Sequence, residues 1–235
     1  MSKLSIVTPV YNNWSFTNYY LNNLLKLSED YELIIVDNAS TDQTKDELLK
    51  LIELHNNLIY IRNEENKFFG YASNQGYTKA SSDIVMFLNN DIKINDKNLK
   101  WLDDFVEKVT NSHNAIIGPT GGFVDPKKDY AFVYETCDPK MNVNYMSGWC
   151  LAAKKNVWNN LILENRNGPF DNITFKLYFE DTDLSFRATK NNIKFIIYKL
   201  PITHIGRQTS KNLNISKYYL ESKNKFCKKW QSKKI

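Results

Sequence analysis

The sequence predicts an α/β domain built on a mostly parallel sheet, and three observations carry that expectation. Aliphatic, β-rich runs alternate with helical patterns through the first half of the 235-residue chain. Hydrophobic residues make up 42% of it, enough for a sizeable core and too many for wholesale disorder. No internal repeat and no Gly/Pro/Ser linker divides it, so one large domain with at most a small appendage is expected.

Taken in order, "LSIVTPV" reads as a first strand and "FTNYYLNNLLKL" as the helix after it. "YELIIVD" is a second buried strand, followed by a helix over "STDQTKDELLKLIEL", where Ser40 and Gln43 have the spacing of a capping box. "LIYIRN" is the third strand, and "GYASNQGYTKA" a helix weakened by its glycines. "DIVMFLNND" is the fourth strand, and "KNLKWLDDFVEKV" a helix with apolar residues at three- and four-residue steps. Strand–helix alternation of this kind requires right-handed crossovers between parallel strands.

The second half is less regular. "AIIGPTGG", "YAFVYETC", "NYMSGWCLAA" and "KFIIYKL" read as strands of a mixed sheet. "EDTDLSFRATKNN" opens a helix, with acids in its first turn and Arg187 and Lys190 later, as the helix dipole favours. "SKYYLESKNKFCKKW" is a terminal helix.

Composition narrows the class of function. The formal charge of +5 is concentrated in the lysines of the last twenty or so residues. No nucleic-acid recognition fold accompanies them, so no nucleic-acid partner is expected. Those lysines, around Tyr218, Tyr219, Phe226 and Trp230, fit either an anionic membrane surface or a docked helix with a solvated lysine face. Cys137, Cys150 and Cys227 lie far apart without a CxxC pair, which suits a reducing compartment and not a disulfide framework. No signal-peptide pattern and no apolar run near the ~20 residues of a membrane span is visible, so a soluble cytoplasmic protein is expected.

In an open parallel sheet, ligands bind outside the carboxyl ends of the strands. Here those ends read Thr8-Pro9-Val10-Tyr11-Asn12, then Asp37-Asn38-Ala39-Ser40, then Asn63 and Asn66, then Asn89-Asn90-Asp91. One polar tip is ordinary turn chemistry. Four together predict a polar pocket of nucleotide size, and the abrupt stop of "IVMFL" at "NND" fits a metal site as well as a turn.

"SIVTPVYNN", "IIVDNASTD", "NKFFGYASNQGYTKA", "IVMFLNNDI", "MSGWCLAAKK" and "YFEDTDLSFRA" follow one another in the order and spacing of family 2 glycosyltransferases. The chain resembles that family over residues 3–207, with the rhamnosyltransferase-like branch nearest. The resemblance implies the GT-A fold over residues 1–210, with 211–235 as a basic C-terminal helix or tail. It further implies an inverting enzyme that moves a sugar from a UDP- or dTDP-linked donor to a hydroxyl of a glycan or lipid-linked glycan.

Residue by residue, the resemblance places Thr8, Pro9 and Tyr11 in the nucleoside-binding first loop and Asp37 on the ring N–H of a uracil or thymine. Asn66, Gly70, Asn74 and Gly76 fall beside the nucleotide and its ribose; Gly76 reads equally as a packing glycine. Asp91 becomes the ligand of a Mn²⁺ or Mg²⁺ ion that neutralises the donor diphosphate, with Asn89 and Asn90 near the sugar or ribose. Such ions share oxygen ligands with phosphates, so one carboxylate suffices, although Asn89 stands where the usual triplet begins with an acid. His204, read as following a strand in "PITHIGRQTS", completes the metal shell or touches the diphosphate, and Arg207 contacts phosphate. Asp181 is the general base, Glu180 is positioned beside it, and Asp183 pairs with Arg187 four residues on. Gly148 leaves room for the sugar, and Trp149 either stacks on a pyranose or belongs to the core. A nucleotide-sugar pyrophosphorylase would want a Gly-rich basic loop after the first strand, which is missing. A non-catalytic sugar-nucleotide-binding module stands as the other alternative.

Overall fold

The structure is a computed structural model and describes residues 2–27, 30–95, 99–206 and 215–231. Its elements begin β1 (Leu4–Val10), α1 (Trp14–Leu24), β2 (Tyr31–Asp37), α2 (Thr44–Leu54), β3 (Leu58–Arg62), α3 (Phe68–Lys79), β4 (Ile84–Leu88), β5 (Ile92–Ile94) and α4 (Trp101–Thr110). They continue with β6 (Ala115–Gly118), β7 (Gly121–Asp125), β8 (Ala131–Thr136), β9 (Tyr145–Met146), β10 (Cys150–Lys154) and α5 (Lys155–Asn159). Last come α6 (Glu180–Lys190), β11 (Lys194–Ile197), β12 (Ile202–His204) and α7 (Ile215–Gln231).

Side-chain alternation along the central strands produces three layers. Ile6, Leu33, Ile35, Met86 and Leu88 face a core shared with α1, α2 and α4. Their neighbours Val7, Ile34, Val36, Val85 and Phe87 face the opposite core, under α3, α5 and α6. Each such side chain, fully buried, contributes ~1.5–3 kcal/mol. Among the described residues the main sheet runs β11-β6-β10-β4-β1-β2-β3, with β10 antiparallel to both neighbours and the other pairs parallel. Helix α3 lies close on β1 because Gly76 has no side chain: a Cβ there would sit 2.3 Å from Val7 Cγ1. Gly76 is therefore a packing glycine.

This topology gathers distant segments at one edge. Parallel register sets Val10 beside Asp37, and Val7 beside Phe87, so the ends of β1, β2 and β4 align. Antiparallel β10 begins where β4 ends, with Cys150 opposite Leu88. A two-stranded pair sets His204 of β12 opposite Ile92 of β5, immediately after Asp91.

Three local expectations give way. Ser40 does not cap α2, which starts at Thr44 and has its first N–H bound by Asp42 Oδ1 at 3.0 Å. Ala39 turns left-handed (φ 63°), and Ser40 Oγ accepts the Asn12 N–H at 2.7 Å instead. "NYMSGWCLAA" is not one strand, because the chain leaves the small sheet of β8-β7-β9 at Met146 and enters the main sheet at Cys150. His204 lies within a strand, not after one.

The basic C-terminal helix α7 is docked. Phe226 and Trp230 are buried in a third apolar cluster with Val124, Tyr130, Phe175 and Phe186. Trp230 Nε1 donates to Asp183 Oδ1 at 2.9 Å, and Lys229 pairs with Asp171 and Asp183, both at 2.8 Å. These two aromatic residues are core, so they do not anchor a membrane surface. Among the described residues no helix is long and apolar enough to cross a membrane.

Candidate active site

A cleft of about 310 Å³ opens at the aligned strand ends. Pro9, Tyr11, Asn66, Asn89, Asn90 and Asp91 line it from the first half of the chain. Gly148, Trp149, Glu180, Asp181 and His204 close it from the second half of the chain. Asp91 and Asp181, ninety residues apart in sequence, thus face one cavity.

On the Asp91 side, Asp91 Oδ1 lies 3.1 Å from His204 Nε2. The imidazole stacks in parallel on Trp149, with ring centroids 4.9 Å apart and planes 6° apart. One indole face is therefore taken by His204, and Trp149, 9% exposed, orients the histidine as much as it lines the cleft. Asn90 is anchored by its amide donating to Thr17 Oγ1 at 2.8 Å. Asn89 N–H donates to the Trp149 carbonyl at 2.9 Å, tying the end of β4 to the segment before β10. Among the described residues no group of three or more His, Cys, Asp or Glu gathers to hold a metal by itself. The Asp91–His204 pair fits a hard divalent ion whose remaining ligands are phosphate oxygens and water.

On the Asp181 side, the chain reaches α6 through Tyr178 and Phe179, both left-handed at φ 68° and 66°. Such conformations cost ~1–3 kcal/mol each for non-glycine residues and concentrate where a side chain must be aimed. Asp181 Oδ2 accepts the Gly148 N–H at 2.9 Å, and Oδ1 accepts the Thr182 N–H at 2.7 Å. A Cβ on Gly148 would lie 3.0 Å from Asp181 Cβ and 3.2 Å from its Oδ2, tighter than ordinary contact, so glycine brings the backbone to the carboxylate without displacing it. Burial raises the Asp181 carboxyl above its ordinary range, helped by the charge of Glu135, while these hydrogen bonds pull it back. Glu180 is 7% exposed, and its Oε2 has no hydrogen-bond partner among the described residues. Burial, then the Asp181 charge, pushes Glu180 up to about 8. Asp183 turns away, as expected, and is wholly buried with Arg187 Nε at 2.8 Å.

Four residues expected against the nucleotide do not line the cleft. The Asp37 carboxylate is fully buried and receives the Ser40 N–H (2.8 Å), the Tyr60 hydroxyl (3.0 Å) and the Arg62 guanidinium. Thr8 Oγ1 is hydrogen-bonded to the Tyr20 hydroxyl at 2.6 Å. Asn74 donates to the Phe170 carbonyl (2.8 Å) and accepts the Phe170 N–H (3.0 Å), and Gly70 packs on Phe170. Arg207 lies outside the described residues. Asn38, Phe68, Ser147 and Tyr178 line the cleft without having been singled out. Asn38 sat in plain view at the end of the second strand; nothing local marks the other three.

The sequence profile of Glycosyl transferase family 2 matches residues 5–180, and the chain belongs to that family. It is 28% identical over 115 residues to poly(ribitol-phosphate) beta-N-acetylglucosaminyltransferase TarS of Staphylococcus aureus (strain Mu50 / ATCC 700699), covering 46% of this chain and 19% of TarS. The fold resembles that of S. aureus TarS 1–349 in complex with UDP-GlcNAc (TM-score 0.57, 19% identity), over 90% of this chain and 61% of that one. It also resembles mannosyltransferase PcManGT from Pyrobaculum calidifontis in complex with GDP-Man and Mn²⁺ (TM-score 0.61, 16% identity), over 84% of this chain and 55% of that one. These neighbours are GT-A glycosyltransferases, and the mixed sheet flanked by helices is the GT-A fold. The chain spans less than two thirds of each of these relatives.

Proposed function

We propose that this chain is the catalytic domain of an inverting glycosyltransferase that moves a sugar from a UDP- or dTDP-linked donor to a hydroxyl of a glycan or lipid-linked glycan. The observation that carries the reading is the convergence of Asp91 and Asp181 on one cleft. Pro9, Tyr11 and Asn66 flank the nucleoside, Asn89 and Asn90 lie by the ribose or sugar, and Gly148 leaves space above Asp181. Thr8, Asp37, Gly70 and Asn74 support nucleotide binding from behind, by fixing the loops that make contact. Arg207 is assigned to the diphosphate on its sequence position alone.

Asp91 and His204 would hold Mn²⁺ or Mg²⁺, and the bound ion would supply Lewis-acid stabilisation of the charge developing on the diphosphate. Asp181 accepts the proton of the acceptor hydroxyl as that oxygen bonds to the anomeric carbon. The bond from the anomeric carbon to the donor phosphate oxygen breaks, and its electron pair leaves with the nucleoside diphosphate. Attack from the face opposite the leaving group inverts the anomeric centre. A lipid-linked acceptor would bring an anionic surface toward the exposed Lys217 and Lys228 of α7.

A melting-temperature panel of UDP- and dTDP-sugars, with and without Mn²⁺, tests this reading. The matching donor at 100 Kd should stabilise the fold by about 2.7 kcal/mol, and only with the metal present. A folded protein that responds to no nucleotide sugar in either condition would contradict it.

A further inference from the structure

A second cavity, of about 640 Å³, opens on the far side of Asp181. It shares Ser147, Tyr178, Glu180 and Asp181 with the donor cleft, so the two spaces meet at the general base. Its outer wall is the strand β8, with Phe132 and Val133 exposed at 45% and 54%, and Tyr219 of α7 closes it from the other side. Phe132 is held edge-on to Tyr145 at 5.4 Å and tilted against Phe179 at 5.7 Å. Its ring is thus fixed in orientation while nearly half of it remains open to solvent. Large apolar side chains left exposed beside convergent polar groups mark a binding surface.

The charge of this cavity is one-sided. Glu135, Glu180 and Asp181 line it, and among the described residues lining it there is no Lys, Arg or His. Aromatic faces suit the C–H faces of a sugar ring, and carboxylates accept hydrogen bonds from its hydroxyls. A phosphate-bearing polyol has hydroxyls to donate but no ring face to stack on an aromatic side chain, and its phosphate meets like charge.

We propose that this second cavity is the acceptor site and that it selects a neutral pyranose, stacked on Phe132 with its hydroxyls turned to Glu135, over a polyol phosphate. This assignment rests on the glycosyltransferase reading above for the role of Asp181, but its test does not need turnover. Methyl glycosides of common hexoses, their disaccharides and ribitol 5-phosphate are each added to protein saturated with UDP and Mn²⁺, and binding is read by saturation-transfer NMR. At least one neutral glycoside should bind, and ribitol 5-phosphate should not. Phe132→Ala should weaken that glycoside about tenfold, and Glu135→Gln several-fold, while the UDP signal in the same sample persists. Both side chains are exposed, so both variants should fold. Binding of ribitol 5-phosphate in a Phe132-dependent way, binding of no glycoside at all, or glycoside binding indifferent to both substitutions would overturn the proposal. Loss of the UDP signal in wild type would instead overturn the glycosyltransferase reading, and with it the role given to this cavity.

Discussion

The two walls of the cleft use their polar residues differently. On the wall built from β1, β2 and α3, most motif side chains are occupied with one another. Asp37 is saturated by Ser40, Tyr60 and Arg62, Thr8 by Tyr20, and Asn74 by the backbone of Phe170. On the wall from residues 147–181, Glu180 keeps a buried oxygen with no hydrogen-bond partner among the described residues, and Asp181 sits where two cavities meet. One wall holds its shape with hydrogen bonds; the other keeps carboxylates in costly surroundings. The contrast recurs within a single turn of α6, where Asp183 is buried in an ion pair while Glu180 and Asp181 face the cleft. A motif therefore mixes residues that act with residues that only position.

Substitutions on each wall can break this contrast. The largest effect should come from Asp181→Asn, which removes the proton acceptor. Turnover should fall by ~10²–10⁴, with only a small change in melting temperature, because relief of a buried charge is offset by the loss of one of the two N–H bonds that Asp181 accepts. Steady-state kinetics with a matched donor and acceptor checks this. Asp183→Ala should do the reverse of a catalytic substitution. It leaves Arg187 buried without its carboxylate and strips partners from Trp230 and Lys229, so urea unfolding should show a loss of ~3–5 kcal/mol. Asp37→Asn should be milder, about 1–3 kcal/mol, with weaker UDP binding by calorimetry and an unchanged rate at saturating donor. A large fall in kcat from Asp37→Asn would mean that the first wall takes part in the chemistry directly.

The smallest effect sharpens the comparison through pH. Glu180 is raised from 4.5 to about 8 by burial and the Asp181 charge, so the folded state holds a proton that the unfolded state has released. Its contribution is neutral below about 4.5, and stability declines as pH rises toward 8. The slope is at most about 1.4 kcal/mol per pH unit. Glu180→Gln, which never ionises, should flatten this part of the stability–pH curve. A curve identical to wild type would remove Glu180 from the account.

Much of this was legible in the chain. Continuous apolar runs marked the central strands, and "NND" and "EDTDL" marked the two carboxylates that meet in the cleft. Asp183 and Arg187 announced their pair through helical spacing. What escaped depends on long-range register. Nothing near His204 says that it will lie opposite Ile92, and nothing near Gly148 says that its N–H will meet Asp181. Ser40 had the spacing of a cap, but a left-handed Ala39 turned it toward Asn12. Asp37 looked like a free ligand because Tyr60 and Arg62, its partners, sit on a different strand. The second cavity was invisible for the same reason, since β8, β9, α6 and α7 all contribute to it.

The division of labour between Asp91 and Asp181 is tested most directly by calorimetric titration of UDP, with and without Mn²⁺, into wild type, Asp91→Asn and Asp181→Asn. Asp181→Asn should bind UDP with Mn²⁺ within about twofold of wild type, whereas Asp91→Asn should lose the Mn²⁺-dependent part of the affinity, about tenfold or more. Metal-enhanced binding that survives Asp91→Asn, or that disappears with Asp181→Asn instead, would contradict the assignment of the cation to one carboxylate and the acceptor proton to the other.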